Sequence, residues 1–290
     1  MQLRKGQIVE LKIDKIAFGG NGLGKYEGLV VFVPSTMPGD LVKASFTKIK
    51  KDYAEAELVE VVEKSPDRVE PKCRFFDKCG GCQFQFMIYK MQLQIKKQQV
   101  IDAFERIGKI KDPPVADVIG CENQYYYRNK MEFSFGYDEK MNFALGMHLP
   151  GRRYDILDLV ECHLQSEFSS KIVNAVREFI SKTGWPPFKY SLGEGFLQSL
   201  YVREGKRTNE VMINLVTSDD KPKDFDEKIK KFVEVLADMK DGEKKITSIY
   251  WTQVISRRGI PKQRKETLMK GKRTLTEKLK LKNGNELIFE

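Results

Sequence analysis

Long apolar runs are missing from these 290 residues, and nothing approaches the ~20 consecutive apolar residues that a membrane-spanning helix needs. The first residues, MQLRKGQIVELKI, carry no signal-peptide core and already read as a strand, so a cytoplasmic location without membrane association is expected. A dinucleotide-type glycine loop is absent as well. The run GGNGLG at 19–24 does not match G-x-G-x-x-G, and a strand rather than a helix follows it, so it reads as a flexible turn. Acidic residues are in deficit: 41 Asp and Glu against 51 Lys and Arg leave a formal charge of +10. Residues 256–290 hold eleven Lys or Arg against four Asp or Glu, densest in RRGIPKQRK at 257–265. A basic surplus of this kind points to a polyanion, most often a nucleic acid, although a charged run alone is equally compatible with a solvated face.

Cysteine is scarce, but four of the five are placed with purpose. Cys73, Cys79 and Cys82 form a C-x5-C-x2-C run in PKCRFFDKCGGCQFQ, and Cys162 follows in DLVECHL. In a reducing compartment clustered thiols point to a metal rather than to disulfides. Thiolates hold zinc or iron–sulfur clusters, and spacing leaves the two open. Cys121 lies outside the pattern and reads as a small buried residue.

Patterning predicts an α+β chain. Residues 1–65 hold short strands at Gln7–Ile13, Leu29–Val33, Leu41–Ile49 and Ala54–Val62, the content of a small OB-like barrel. Residues 66–255 read as a central α+β domain carrying the metal site, with helices over about 87–107, 166–182 and 224–238. The stretch 125–137 alternates as one half-buried antiparallel strand, which puts Tyr126, Arg128 and Lys130 on one face as candidate RNA contacts. Strands at 195–203, 210–217 and 246–253 follow, and residues 256–290 read as a basic segment in which Arg257, Arg258, Lys262, Arg264 and Lys265 are candidates on charge alone.

The motifs AFGGNGLGKYEGLVVFVPSTMPGD, KSPDRVEPKCRFFDKCGGCQFQ, YRNKMEFSFG, DLVECHL and GKRTLTEKL resemble those of the RNA uracil-5 methyltransferases, most closely the branch acting on 23S ribosomal RNA. The first resembles the TRAM domain, an RNA-binding barrel. By that resemblance Cys73, Cys79, Cys82 and Cys162 hold a [4Fe–4S] cluster, Arg203 lies in an RNA-facing strand, and S-adenosylmethionine is the methyl donor. Gln198 and Ser199 stand where the family usually has an Arg-His pair. The resemblance implies an RNA-binding, substrate-positioning region that acts on ribosomal rather than transfer RNA as a monomer. The family's nucleophilic cysteine in an Asn-Pro-Pro-Arg setting has no counterpart. The expectation is therefore a chain without the Rossmann-like catalytic domain, cut before it and inactive alone. The alternative is a non-catalytic iron–sulfur RNA-binding protein.

Overall fold

The computed structural model describes residues 3–152, 154–256 and 261–290. The chain forms two compact units, one of residues 1–77 and 81–124, the other of residues 78–80 and 125–290. The partition therefore differs from breaks at 65 and 255. Ile16 and Met37 share a core with Phe76, Phe86, Met87 and Ile95, which holds most of the cysteine segment with the first unit.

In the first unit, strands β1 (Ile8–Ile16), β2 (Gly22–Tyr26), β3 (Leu29–Val33), β4 (Leu41–Ile49) and β5 (Tyr53–Glu63) close into a barrel in the order β1-β2-β3-β5-β4. The period-2 alternation of β1 sends Val9, Leu11 and Ile13 inward, where they meet Val31, Val33, Val42, Ala44, Phe46 and Ala54. The glycine run read as a turn is half strand. Gly22 and Gly24 belong to β2, and a Cβ on Gly24 would lie 2.2 Å from the Lys12 carbonyl oxygen. Gly24 is there because β1 and β2 approach closely at the β1 bulge, and a Cβ on Gly22 would run into the Thr36 hydroxyl.

Asp40, fully buried, closes the barrel end. Its carboxylate accepts from the backbone N–H of Met37 and Ser65 and pairs with the Arg68 guanidinium at 2.6 Å. Arg68 in turn lies over the Phe86 ring, 4.7 Å from its centroid. Helix α1 (Tyr89–Arg106) buries only Ile95, and Phe104, expected on its apolar stripe, remains exposed.

The second unit contains β6 (Lys130–Tyr137), β7 (Phe143–His148), β8 (Ile156–Asp158), α2 (Glu167–Ser181), β9 (Leu197–Glu204), β10 (Glu210–Ser218), α3 (Phe225–Ala237), β11 (Lys240–Asp241), β12 (Lys244–Ile255) and β13 (Gln263–Gly271), followed by a hairpin of β14 (Glu277–Lys280) and β15 (Glu286–Phe289). Its eight-stranded sheet runs β11-β12-β10-β9-β6-β7-β8, with β13 also paired to β12. Pairing is antiparallel except for β10 with β12, which are parallel and joined through α3. This is a βαβ crossover, which separate strand readings do not reveal.

Helices α2 and α3 supply Phe168, Ile172, Val176, Ile180, Phe225, Ile229 and Phe232 to one core with Met131, Phe133, Leu200, Val202, Val211, Ile213 and Leu215 of the sheet. Ser166 caps α2 by accepting the N–H of Ser169. Arg177 of α2 binds Asp158 of β8 at 2.6 Å and the Leu145 carbonyl at 3.0 Å, which fixes the helix to the sheet edge. The alternate residues of β6, β9 and β10, among them Lys130, Arg203 and Asn214, face away from the helices.

The basic segment is not a tail. Residues 263–271 are an edge strand, because Gln263 to Gly271 register with Ile255 to Ser248 along eight pairs.

Candidate functional site

None of the five cysteines is in a disulfide, and the four nominated thiols are all half-buried. Cys73 and Cys82 pack against the Phe76, Phe86, Met87 and Ile95 core of the first unit. The Cys73 N–H donates to Gln85 Oε1 at 3.1 Å. Asp77, at φ +67°, turns the chain between Cys73 and Cys79. Cys79 sits in the short 78–80 stretch of the second unit. A Cβ on the adjacent Gly80 would lie 3.5 Å from the His148 carbonyl. Cys162 packs beside the large core of the same unit, and its N–H donates to Ser170 Oγ at 3.2 Å. Among the described residues, no group of three or more His, Cys, Asp or Glu side chains is gathered as a metal ion requires. The case for a metal therefore rests on donor chemistry: thiols outside any disulfide are the donors that suit a soft ion or cluster.

Exposed Cys121 is not the small buried residue expected. Its N–H donates to Tyr89 Oη at 2.8 Å and its thiol to the Asn123 carbonyl at 3.1 Å.

Tyr126, Arg128 and Lys130 do not share a strand face. Strand β6 begins only at Lys130, and Tyr126 adopts φ +58°. The backbone N–H groups of Tyr126 and Arg128 donate to the carbonyls of His163 and Leu164, so this stretch pairs with the segment after Cys162 instead of extending β6. The Tyr126 hydroxyl lies 3.2 Å from His163 Nδ1.

Lys130, by contrast, meets two other nominated residues. Lys130, Arg203 and Arg264 line one cavity of about 210 Å³ on the helix-free face, together with Tyr201, Met212 and Asn214. The registers Lys130–Arg203, Tyr201–Asn214 and Arg203–Met212 build it across β6, β9 and β10. The Lys130 ammonium stands 5.0 Å from the Tyr201 ring centroid. Burial and a hydrogen bond to Glu132 push the Tyr201 phenol above its ordinary range. Tyr201, Met212 and Asn214 escaped the sequence reading, although Tyr201 has the same strand parity as Arg203. Lys265 is on β13 and Lys262 just before it, both exposed. Arg257 and Arg258 lie outside the described residues.

In the barrel unit the β1–β2 loop presents Phe18, 94% exposed. The loop is not slack: Gln83 Nε2 donates to the Gly19 carbonyl at 3.1 Å and Gln99 Nε2 to that of Ala17 at 3.3 Å.

A family model described as TRAM domain matches residues 2–59. A Chlorobaculum tepidum protein named as an uncharacterized RNA methyltransferase is 38% identical over 234 residues, covering 75% of this chain and 48% of that protein. One from Halalkalibacterium halodurans, similarly named, is 36% identical over 215 residues, covering 74% and 46%. The chain spans about half the length of the curated relatives it matches. Among solved structures, the Pyrococcus abyssi tRNA (uracil-54, C5)-methyltransferase in complex with S-adenosyl-L-homocysteine superposes with a TM-score of 0.63 at 23% identity, over 96% of this chain and 58% of that one.

That superposition overturns the expectation of a chain lacking a Rossmann-like domain. Nearly all of the chain follows the fold of that protein, over 58% of the latter's length. The chain carries a TRAM domain and, related over three quarters of its length to proteins named RNA methyltransferases, belongs to the RNA methyltransferase family.

Proposed function

We propose that this chain serves S-adenosylmethionine-dependent methylation of uracil C5 in RNA, its barrel and its helix-free sheet face binding and positioning the RNA. The observation that carries this reading is the relationship to proteins named RNA methyltransferases over three quarters of the chain. The TRAM match and the solved neighbour's fold support it. Ribosomal RNA is the proposed target on the motifs at 64–85 and 127–136, whereas the solved neighbour is by its title a tRNA enzyme. S-adenosylmethionine supplies the methyl group. The turn after β10, SDDKPKD, is acidic and glycine-free, so it does not present a glycine cradle for that donor.

The chain's own part is placement. Lys130, Arg203 and Arg264 offer positive charge on one sheet face, and Arg257, Arg258, Lys262 and Lys265 are further proposed contacts on charge alone. Tyr126 and Arg128 are proposed as a separate contact beside His163. Cys73, Cys79, Cys82 and Cys162 are the proposed ligands of a [4Fe–4S] cluster, which would tie distant segments together.

Phe18 is the proposed stacking residue of the barrel. A fully exposed phenylalanine on a loop pinned by two glutamines contributes nothing to a core and offers a base one open ring face. Phe18→Ala should weaken binding of a uridine-containing single-stranded ribosomal RNA fragment by about 5- to 100-fold, with the melting temperature unchanged. Fluorescence anisotropy and thermal denaturation check this, and unchanged affinity would remove Phe18 from the interface.

A further inference from the structure

The cavity between Lys130, Arg203 and Arg264 is lined almost wholly by hydrogen-bond donors. Lys130, Arg203 and Arg264 are exposed, and their side chains converge on this one space. Among the described residues, Lys130, Arg203 and Arg264 make no ion pair. The nearby carboxylate, Glu132, is engaged by the Tyr201 phenol. Asn214 is oriented too. The Thr252 hydroxyl donates to its Oδ1 at 3.0 Å, which leaves the amide NH2 as the group on offer. One ammonium, two guanidinium groups and one amide donor thus line the space, with Met212 and Tyr201 beside them. Three exposed cations around one space favour an anionic occupant, and a group with several acceptor oxygens matches their donors best. At about 210 Å³ the space is below the ~300 Å³ at which pockets begin to hold whole small molecules, so it suits one group and not a nucleoside.

We propose that this cavity is a phosphodiester subsite: Arg203 and Arg264 grip one backbone phosphate of the bound RNA strand, Lys130 is held over Tyr201 as a third cation, and Asn214 donates to a remaining oxygen. The subsite rests on the RNA reading above and fixes the strand's path across β6, β9 and β10. It recognises backbone and not base, so it sets register without sequence preference.

The test is the salt dependence of binding of a single-stranded uridine-containing RNA to the whole chain and to the variants Arg203→Ala, Arg203→Lys and Lys231→Ala. Arg203 is exposed, so its truncation leaves the core intact. Lys231, paired with Glu227 on α3, is the control for a cation outside the cavity. Arg203→Ala should lower affinity roughly tenfold at moderate salt and flatten the slope of log K against log[salt] by about 0.7. Arg203→Lys should keep the slope while losing part of the affinity, because the charge stays and the bidentate fork goes. Lys231→Ala should change neither. If Arg203→Ala keeps the parent slope while the parent binds RNA, the subsite is wrong and the RNA reading stands. If the parent binds no RNA, the functional reading fails and the subsite fails with it. If inorganic phosphate shifts the Arg203 and Arg264 NMR resonances but does not compete with RNA, the cavity is a free-anion site and the RNA assignment is overturned.

Discussion

Cys79→Ser is expected to abolish iron binding. Purified anaerobically, the parent chain should carry about four irons and four sulfides with a broad absorbance band near ~400 nm. The variant should carry neither and should unfold at lower temperature. The physical reason is that a serine hydroxyl is a hard, weakly acidic donor where the cluster needs a soft thiolate. The loss also leaves Cys73, Cys82 and Cys162 unable to close the coordination. Cys121→Ser should behave as the parent, since Cys121 is exposed and already engaged with Tyr89 and Asn123. Full iron content in Cys79→Ser, or one zinc and no iron in the parent, would remove the cluster from the account.

Asp40→Ala should be the most damaging single change in the barrel unit, costing about 3–5 kcal/mol. Asp40 is fully buried and accepts hydrogen bonds from Met37, Ser65 and Arg68, while the Arg68 side chain is only 14% exposed. Removing the carboxylate leaves a guanidinium mostly out of water beside Phe86, and two backbone N–H groups lose their acceptor. Replacing both partners together, as Asp40→Leu with Arg68→Met, should cost much less, because no uncompensated charge remains. Chemical denaturation of the single and double variants measures both. Equal destabilisation by single and double variants would show that the charge pair is not what holds this end of the barrel.

What the sequence disclosed was set by period and composition. The alternation Val9, Leu11, Ile13 is the inner face of β1, and the apolar spacing of Phe168, Ile172 and Val176 is the buried stripe of α2. Three features were hidden by contacts between residues far apart. Gly22 and Gly24 looked like turn residues because their close neighbours, the Thr36 hydroxyl and the Lys12 carbonyl, cannot be read from one strand. Tyr125 to Asn129 continue the alternation of β6, yet the carbonyls of His163 and Leu164 capture their backbone at Tyr126 and Arg128 and turn it away. Residues 263–271 looked like a basic tail because an edge strand, solvated along one side, tolerates the charge that an interior strand would not.

The site divides in the same way. Lys130, Arg203 and Arg264 were each nominated separately, one from alternation, one from resemblance and one from charge. Their convergence depends on the strand order β6-β9-β10-β12-β13, which no local pattern encodes. Cysteine spacing nominates Cys73, Cys79, Cys82 and Cys162 as ligands, a proposal that the iron analysis of Cys79→Ser tests.

The measurement that bears most directly on the central claim is a mass-spectrometric inventory of 5-methyluridine in ribosomal and transfer RNA from cells with and without the gene encoding this chain. The account predicts that one 5-methyluridine disappears from 23S ribosomal RNA in its absence and returns on complementation, with transfer RNA unaltered. Loss from transfer RNA alone would contradict the ribosomal assignment, and an unchanged inventory in both RNAs would contradict the proposal of uracil methylation.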